Sequence, residues 1–223
     1  GNVSLYNETR NQDGTLIPIH PTPVIGMVGI IDDLNNICTQ DWVNQGDSIW
    51  LLGAPLEKDS NTDERISLSG SSYLEVIHGL IMGRVPYIDL ELELNIQTFL
   101  RECIKKKLVC SAHDLSDGGL AVALGECCIN SGLGAHIELK QSDVRLDRLL
   151  FGEGGARVII STRSSDFYNF SQLLAQERIP SDHIGYVTSK KDLIIEQGNT
   201  MLIDIPIDKI KTNYFQAIPR RID

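Results

Sequence analysis

The chain has 223 residues, 42% of them hydrophobic and 22% charged, with a formal net charge of −10. That is an ordinary globular core under an acidic surface, and it argues against a general nucleic-acid binder, which needs a basic face to release phosphate counterions. No apolar run approaches the roughly 18 residues of a membrane span, no segment reads as a secretory signal, and five cysteines are too few and scattered for a disulfide scaffold, so a cytoplasmic protein with reduced thiols is expected.

In chain order, residues 1–22 are polar and rich in turn formers, with Pro18, Pro21 and Pro23 restricting the backbone. The run Val24–Ile31 is short, apolar and β-branched, and predicts a buried strand. Asp32–Gly46 reads as a connection between domains, and Ser48–Gly53 as a second strand. Glu57–Glu64 is a polar surface loop. Ser71–Leu80 is a short helix with Leu74, Ile77 and His78 on one face.

Residues 88–105 pull two ways. Ile88–Leu94 alternates like a strand, whereas Leu92, Ile96, Phe99, Leu100 and Cys103 share a helical face. Leu and Glu are good helix formers and β-branching is missing there, so a helix is expected. Leu108–Ala112 is a strand leading into the loop His113–Gly119. Asp117 is a natural N-cap for a helix over 118–131, with Leu120, Leu124, Cys127 and Cys128 as its apolar face and Gly132 and Gly134 as its stop. Strand 135–139, a helical turn at 146–151, strand 156–161, helix 165–177, strands 183–188, 193–195 and 201–205, and a helix over 206–216 follow. This loose alternation through short loops predicts an α+β fold, with helices packed on one mainly antiparallel sheet.

Three segments have residue types suited to chemistry. In Ser111-Ala112-His113-Asp114-Leu115-Ser116-Asp117-Gly118-Gly119-Leu120, a strand feeds a glycine pair at a helix start. Such a turn can present backbone N–H groups to a phosphate. Asp114 and Asp117 could instead supply the oxygens Mg2+ prefers. A third reading has Asp117 capping the helix while the glycines let helix and sheet approach. The second segment is Phe151-Gly152-Glu153-Gly154-Gly155-Ala156-Arg157, a glycine-rich turn that either nears a ligand or enters a strand tightly. The third is the opening Gly1-Asn2-Val3-Ser4, whose amide oxygen and hydroxyl suit a phosphate or hydrated Mg2+. Cys127 and Cys128 point about 100° apart on a helix, which suits a reduced core. No CxxC is present, so no structural zinc is expected.

Taken together, Gly1-Asn2-Val3-Ser4-Leu5-Tyr6-Asn7-Glu8, Pro21–Gly29, Gly70-Ser71-Ser72-Tyr73-Leu74, Ala112–Leu124 and Leu150-Phe151-Gly152-Glu153 resemble, in order, the second half of the phosphoribosylformylglycinamidine synthase family. The likeness is strongest to the short form, which works with a separate glutaminase subunit and a small accessory subunit. The resemblance implies the C-terminal-type domain of the aminoimidazole ribonucleotide synthetase superfamily over 45–223, preceded over 1–40 by the tail of an N-terminal-type, ATP-binding domain. The chain opens inside a motif, so a fragment with its missing part upstream is expected.

The family converts formylglycinamide ribonucleotide, ATP and glutamine-derived ammonia into formylglycinamidine ribonucleotide, ADP and phosphate, with Mg2+ neutralising phosphate charge. Residue by residue, the resemblance implies that Gly1 contacts ATP, Asn2 is a Mg2+ ligand and Ser4 contacts substrate. The catalytic histidine would lie upstream, so the fragment alone is expected to be inactive. The second C-terminal-type domain of the family faces a degenerate site, which holds a structural nucleotide in some members. Glu153-Gly154-Gly155 departs from the family's substrate-contacting Glu-x-Gln form, leaving Asp114, Asp117, Gly118 and Glu153 as candidate vestigial phosphate-site residues. Alternatives are another superfamily enzyme of the thiamine-phosphate kinase, selenophosphate synthetase or hydrogenase-maturation type, and a non-catalytic scaffold. An unpaired strand at 24–30 would also favour self-association.

Overall fold

The computed structural model describes residues 8–18, 25–54 and 65–222, and the chain divides into two compact units, Gly1–Asn35 and Asn36–Asp223. Glu57–Glu64, expected as a loop, lies outside the described residues.

In the first unit, β1 (Glu8–Arg10) and β2 (Leu16–Pro18) pair antiparallel with Thr9 opposite Ile17. Asp13 Oδ1 accepts the Thr15 N–H at 2.9 Å and Gly14 takes φ 84°, closing the turn. An Asp-Gly pair between short runs is a hairpin signal, and the expectation of a polar, turn-rich segment over 1–22 did not include this pairing. The strand expected over Val24–Ile31 is not formed. Ile25, Met27 and Val28 are 83%, 92% and 104% exposed, and Ile25–Ile31 pairs with no strand among the described residues. Val24 lies outside them. Strand preference is a preference for a half-buried pleated surface; the run has the composition but no such surface.

The second unit is built on a seven-stranded sheet among the described residues. Its strands are β3 (Ser48–Gly53), β4 (Ser111–Asp114), β5 (Gly134–Leu139), β6 (Arg157–Thr162), β7 (Ser181–Thr188), β8 (Asp192–Gln197) and β9 (Thr200–Pro206). They lie in the order β4-β6-β3-β7-β5-β8-β9, antiparallel except for the parallel β5–β8 pair. The α+β expectation therefore holds.

The helices are α1 (Ser72–His78), α2 (Leu90–Lys105), α3 (Gly119–Ile129), α4 (Leu146–Phe151), α5 (Phe167–Gln176), α6 (Ile207–Gln216) and α7 (Pro219–Ile222). The α2 start resolves the ambiguous run: Asp89 Oδ1 accepts the Leu92 N–H at 3.0 Å, and Ile96, Phe99 and Cys103 then turn inward.

Helices cover the sheet on both sides. Ile49, Leu51, Ile137, Ile159 and Ile195 share one cluster with Leu120, Leu124, Leu149 and Ile207, from α3, α4 and α6. Trp50, Leu52 and Ile160 share the other with Phe99, Phe170 and Leu174, from α2 and α5. β3 is consequently buried at every residue, which explains why Ser48–Gly53 shows no polar alternation. Part of the expected connection is pinned to this core: Trp42 is 3% exposed, its N–H bonds the Cys127 carbonyl and its indole Nε1–H points at Cys128 Sγ, 3.3 Å away.

Candidate functional site

Three motif segments, far apart in sequence, meet at one carboxylate. Glu153 Oε1 accepts the Ser72 N–H at the start of α1 and the Gly118 N–H just ahead of α3, each at 2.8 Å. Helix starts leave backbone N–H groups without partners, and an acid placed there answers both the hydrogen bond and the helix dipole. The backbone fixes where Glu153 sits, since Ser67 and Glu153 exchange N–H···O bonds of 2.9 and 2.8 Å. The neighbouring Phe151 stacks on Tyr73 with ring centroids 4.8 Å apart.

The capping expectation for Asp117 is overturned. α3 begins at Gly119, its N-cap is Gly118 at φ 79°, and no side chain caps it. Gly118 and Gly119 both take left-handed φ, 79° and 65°, so the chain reaches the helix by a path that turns the exposed Asp117 away from it. Glycine is required for contact as well. A Cβ on Gly119 would stand 2.7 Å from the Gly152 carbonyl oxygen, and one on Gly118 2.4 Å from Val122 Cγ2. α3 is buried at all but Val122 and Glu126, which is why it needs this close approach.

The second glycine-rich turn is used internally too. A Cβ on Gly152 would lie 2.4 Å from the Arg148 carbonyl oxygen, and one on Gly154 1.8 Å from that of Arg65. Ala156 takes φ 57°, and its N–H donates to Glu93 Oε2 at 2.6 Å. The glycines admit protein backbone where a ligand was one expectation.

Of the candidate residues, Gly118 and Glu153 are brought together, whereas the side chain of Asp114 is 75% exposed on the edge strand β4. Ser116 Oγ donates to Asp114 Oδ2 at 3.4 Å. His113 Nε2 lies 2.8 Å from Glu126 Oε2, so the histidine is held by α3, a partner the spacing did not indicate. Among the described residues no three His, Cys, Asp or Glu side chains are grouped to hold a metal. Asp114 and Asp117 belong to no such group. Gly1, Asn2 and Ser4 lie outside the described residues.

One functional-type residue escaped the sequence. Arg157, at the start of β6, is 2% exposed. Its Nη1–H donates to the Gly152 carbonyl at 3.2 Å, while Nε and Nη2 have no partner among the described residues. Burial pushes the guanidinium down to about 10. Its sequence signal is a lone cation ahead of an apolar strand, Arg157-Val158-Ile159-Ile160.

Residues 44–197 match the family described as AIR synthase related protein, C-terminal domain. The chain belongs to that family. As a family member it is 53% identical, over 228 aligned residues and its whole length, to the phosphoribosylformylglycinamidine synthase subunit PurL of Prochlorococcus marinus strain MIT 9303. It spans 29% of that protein. Among solved structures, Thermotoga maritima PurL complexed with FGAR matches 80% of this chain and 30% of its own, with a TM-score of 0.66 and 17% identity. The same protein complexed with ATP matches 80% of this chain and 28% of its own, with a TM-score of 0.58 and 15% identity. At such identities the structural likeness shows the shared fold.

Proposed function

We propose that this chain is one part of a phosphoribosylformylglycinamidine synthase. The whole enzyme is then an ATP-dependent ligase of purine biosynthesis. It converts formylglycinamide ribonucleotide, ATP and glutamine-derived ammonia to formylglycinamidine ribonucleotide, ADP and phosphate. The observation that carries this reading is 53% identity along the entire chain to a protein of that name. The meeting of three motif segments at Glu153 supports it.

On this reading Gly1 contacts ATP, Asn2 a Mg2+ ion and Ser4 the substrate, and the rest of the active centre comes from chain outside these 223 residues. A separate glutaminase subunit supplies ammonia, a small accessory subunit completes the assembly, and the enzyme works in the cytoplasm. Among the described residues no helix is long and apolar enough to cross a membrane.

On this reading the start of α3 is a vestigial phosphate site: Asp114 ends β4, Asp117 stands on the loop after it, and the Gly118 N–H that would meet a phosphate oxygen is bound by the carboxylate of Glu153. The chain holds its own carboxylate there, so this half is a support for catalysis elsewhere.

The test is ammonia-dependent ADP formation by the full-length parent with formylglycinamide ribonucleotide. Asn2→Ala and Ser4→Ala are each expected to lower turnover by at least about 100-fold, the range of a lost charge-stabilising contact. Unchanged turnover would remove Gly1–Ser4 from the active centre. Substrate-dependent turnover by the 223-residue chain alone would refute its inactivity.

A further inference from the structure

Residues 65–89 form an excursion whose two ends lie close together. Arg65 Nη1 and Asp89 Oδ2 are 4.0 Å apart at the neck. Further out, the Gly70 N–H bond to the Met82 carbonyl, 2.9 Å, ties the two legs, and the Ser67–Glu153 bridge fastens the first leg to the turn before β6. Within the excursion only Ile66 and Ser71 are buried.

The shape is held by polar contacts at its base. Ser71 Oγ accepts the Leu74 N–H at 3.2 Å and donates to the Leu68 carbonyl at 2.6 Å. Gly79 closes α1 in the left-handed region, at φ 66°. Yet α1 buries none of its residues. A helix of two turns is marginal in water and depends on packing of its apolar face. Here Tyr73 stacks on Phe151, but most other apolar side chains are exposed: Ile77 59%, Ile81 65%, Met82 59%, Val85 89%, Tyr87 60% and Ile88 52%. Single exposed apolar residues are ordinary, but such a density on one anchored excursion marks an interaction surface.

Charge and chain length select the occupant. Between residues 72 and 88 the charged side chains are Glu75 and Arg84, with His78 titratable. A membrane-surface element carries Lys and Arg along its polar face, and a nucleic-acid face needs more cations still; neither fits. The relative quoted above is more than three times as long, since this chain spans 29% of it. We infer that residues 72–88 form the face on which another part of the same, longer polypeptide docks, its contact surface apolar and nearly uncharged. The partner's identity rests on the proposed synthase reading; the need for a cover rests on the excursion alone. Because Glu153 binds both Ser72 at the base of this face and Gly118 at the start of α3, docking also steadies the candidate site.

The test is peroxide oxidation of Met82 in the full-length parent, followed by peptide mass spectrometry, with N-acetylmethionine in the same tube as the unprotected reference. Met82 is expected to form sulfoxide at least tenfold more slowly than the reference, at a ratio that does not change on dilution. Oxidation at the reference rate would overturn the inference, and so would protection that disappears on dilution, which would make a second molecule the cover. The readout uses no catalytic activity, so a failed synthase reading and a failed docking face are told apart.

Discussion

Replacing Glu153 isolates the contact on which the three motif segments meet. In Glu153→Ala the Ser72 and Gly118 N–H groups both lose their acceptor, and Gly118 is buried. A buried donor left unpaired costs about 1–3 kcal/mol, and the lost charge at the α3 N-terminus adds about 0.3–1 kcal/mol. Ser72, half-buried, recovers part of its bond from water. The sum is a loss of about 3 kcal/mol. Glu153→Gln keeps an oxygen on the same stem and gives up only the charge, so about 1 kcal/mol is expected. Urea unfolding followed by circular dichroism, with both variants on one slope, measures the difference. Equal midpoints for the two variants would refute the reasoning, because the predicted gap comes from the acceptor itself. A loss below about 0.5 kcal/mol in Glu153→Ala, the range of an ordinary surface change, would do the same.

Further outcomes follow from other parts of the core. Gly119→Ala adds a Cβ 2.7 Å from the Gly152 carbonyl at φ 65°, whereas Gly132→Ala meets nothing within 4 Å at the same φ. The second should lose about 1–2 kcal/mol for left-handed strain alone, the first at least twice that, as read by thermal unfolding. Burial pushes the Cys128 thiol up to about 12 and raises Cys127 as well, so neither should react with a disulfide reagent at pH 8 until urea unfolds the chain; fast native labelling of either would contradict the packing. Arg157→Met removes a buried cation, two of whose donors have no partner among the described residues. It should leave urea stability unchanged or raise it by about 1–4 kcal/mol, as replacement of buried charge by apolar volume does. A loss above about 2 kcal/mol, well beyond the cost of a single ordinary hydrogen bond, would mean the guanidinium is satisfied in solution.

Most of the second unit could be read from periodicity and caps. The α2 helix declared itself through Ile96, Phe99 and Cys103, and α3 through its nearly continuous apolar run. Failures arose where a neighbour decides. Val24–Ile31 has strand composition, but a ladder partner is a property of the surroundings. Asp117 is an N-cap residue type in the right place, yet paired left-handed glycines carry the chain past it, and the N–H of Gly118 goes to Glu153, thirty-five residues beyond that glycine. The likeness to known motifs identified Glu153 as worth noticing but not what it binds. Its partners follow from the Ser67–Glu153 bridge, a contact between segments that no spacing rule connects. Arg157 was invisible because a single arginine ahead of a strand is ordinarily a surface residue.

The complete burial of β3 has a consequence for how the molecule is made. Ser48 must pair with Thr162 on one side and Tyr186 on the other, both more than 100 residues downstream. At a synthesis rate of about 5–20 residues per second, Trp50, Leu51 and Leu52 wait roughly 5–23 s after leaving the ribosome before either neighbour exists. Throughout that interval an apolar strand with two open edges is available to other nascent chains. The most secure element of the finished sheet is therefore the most vulnerable one during translation, and the point where a holding chaperone would gain most by binding.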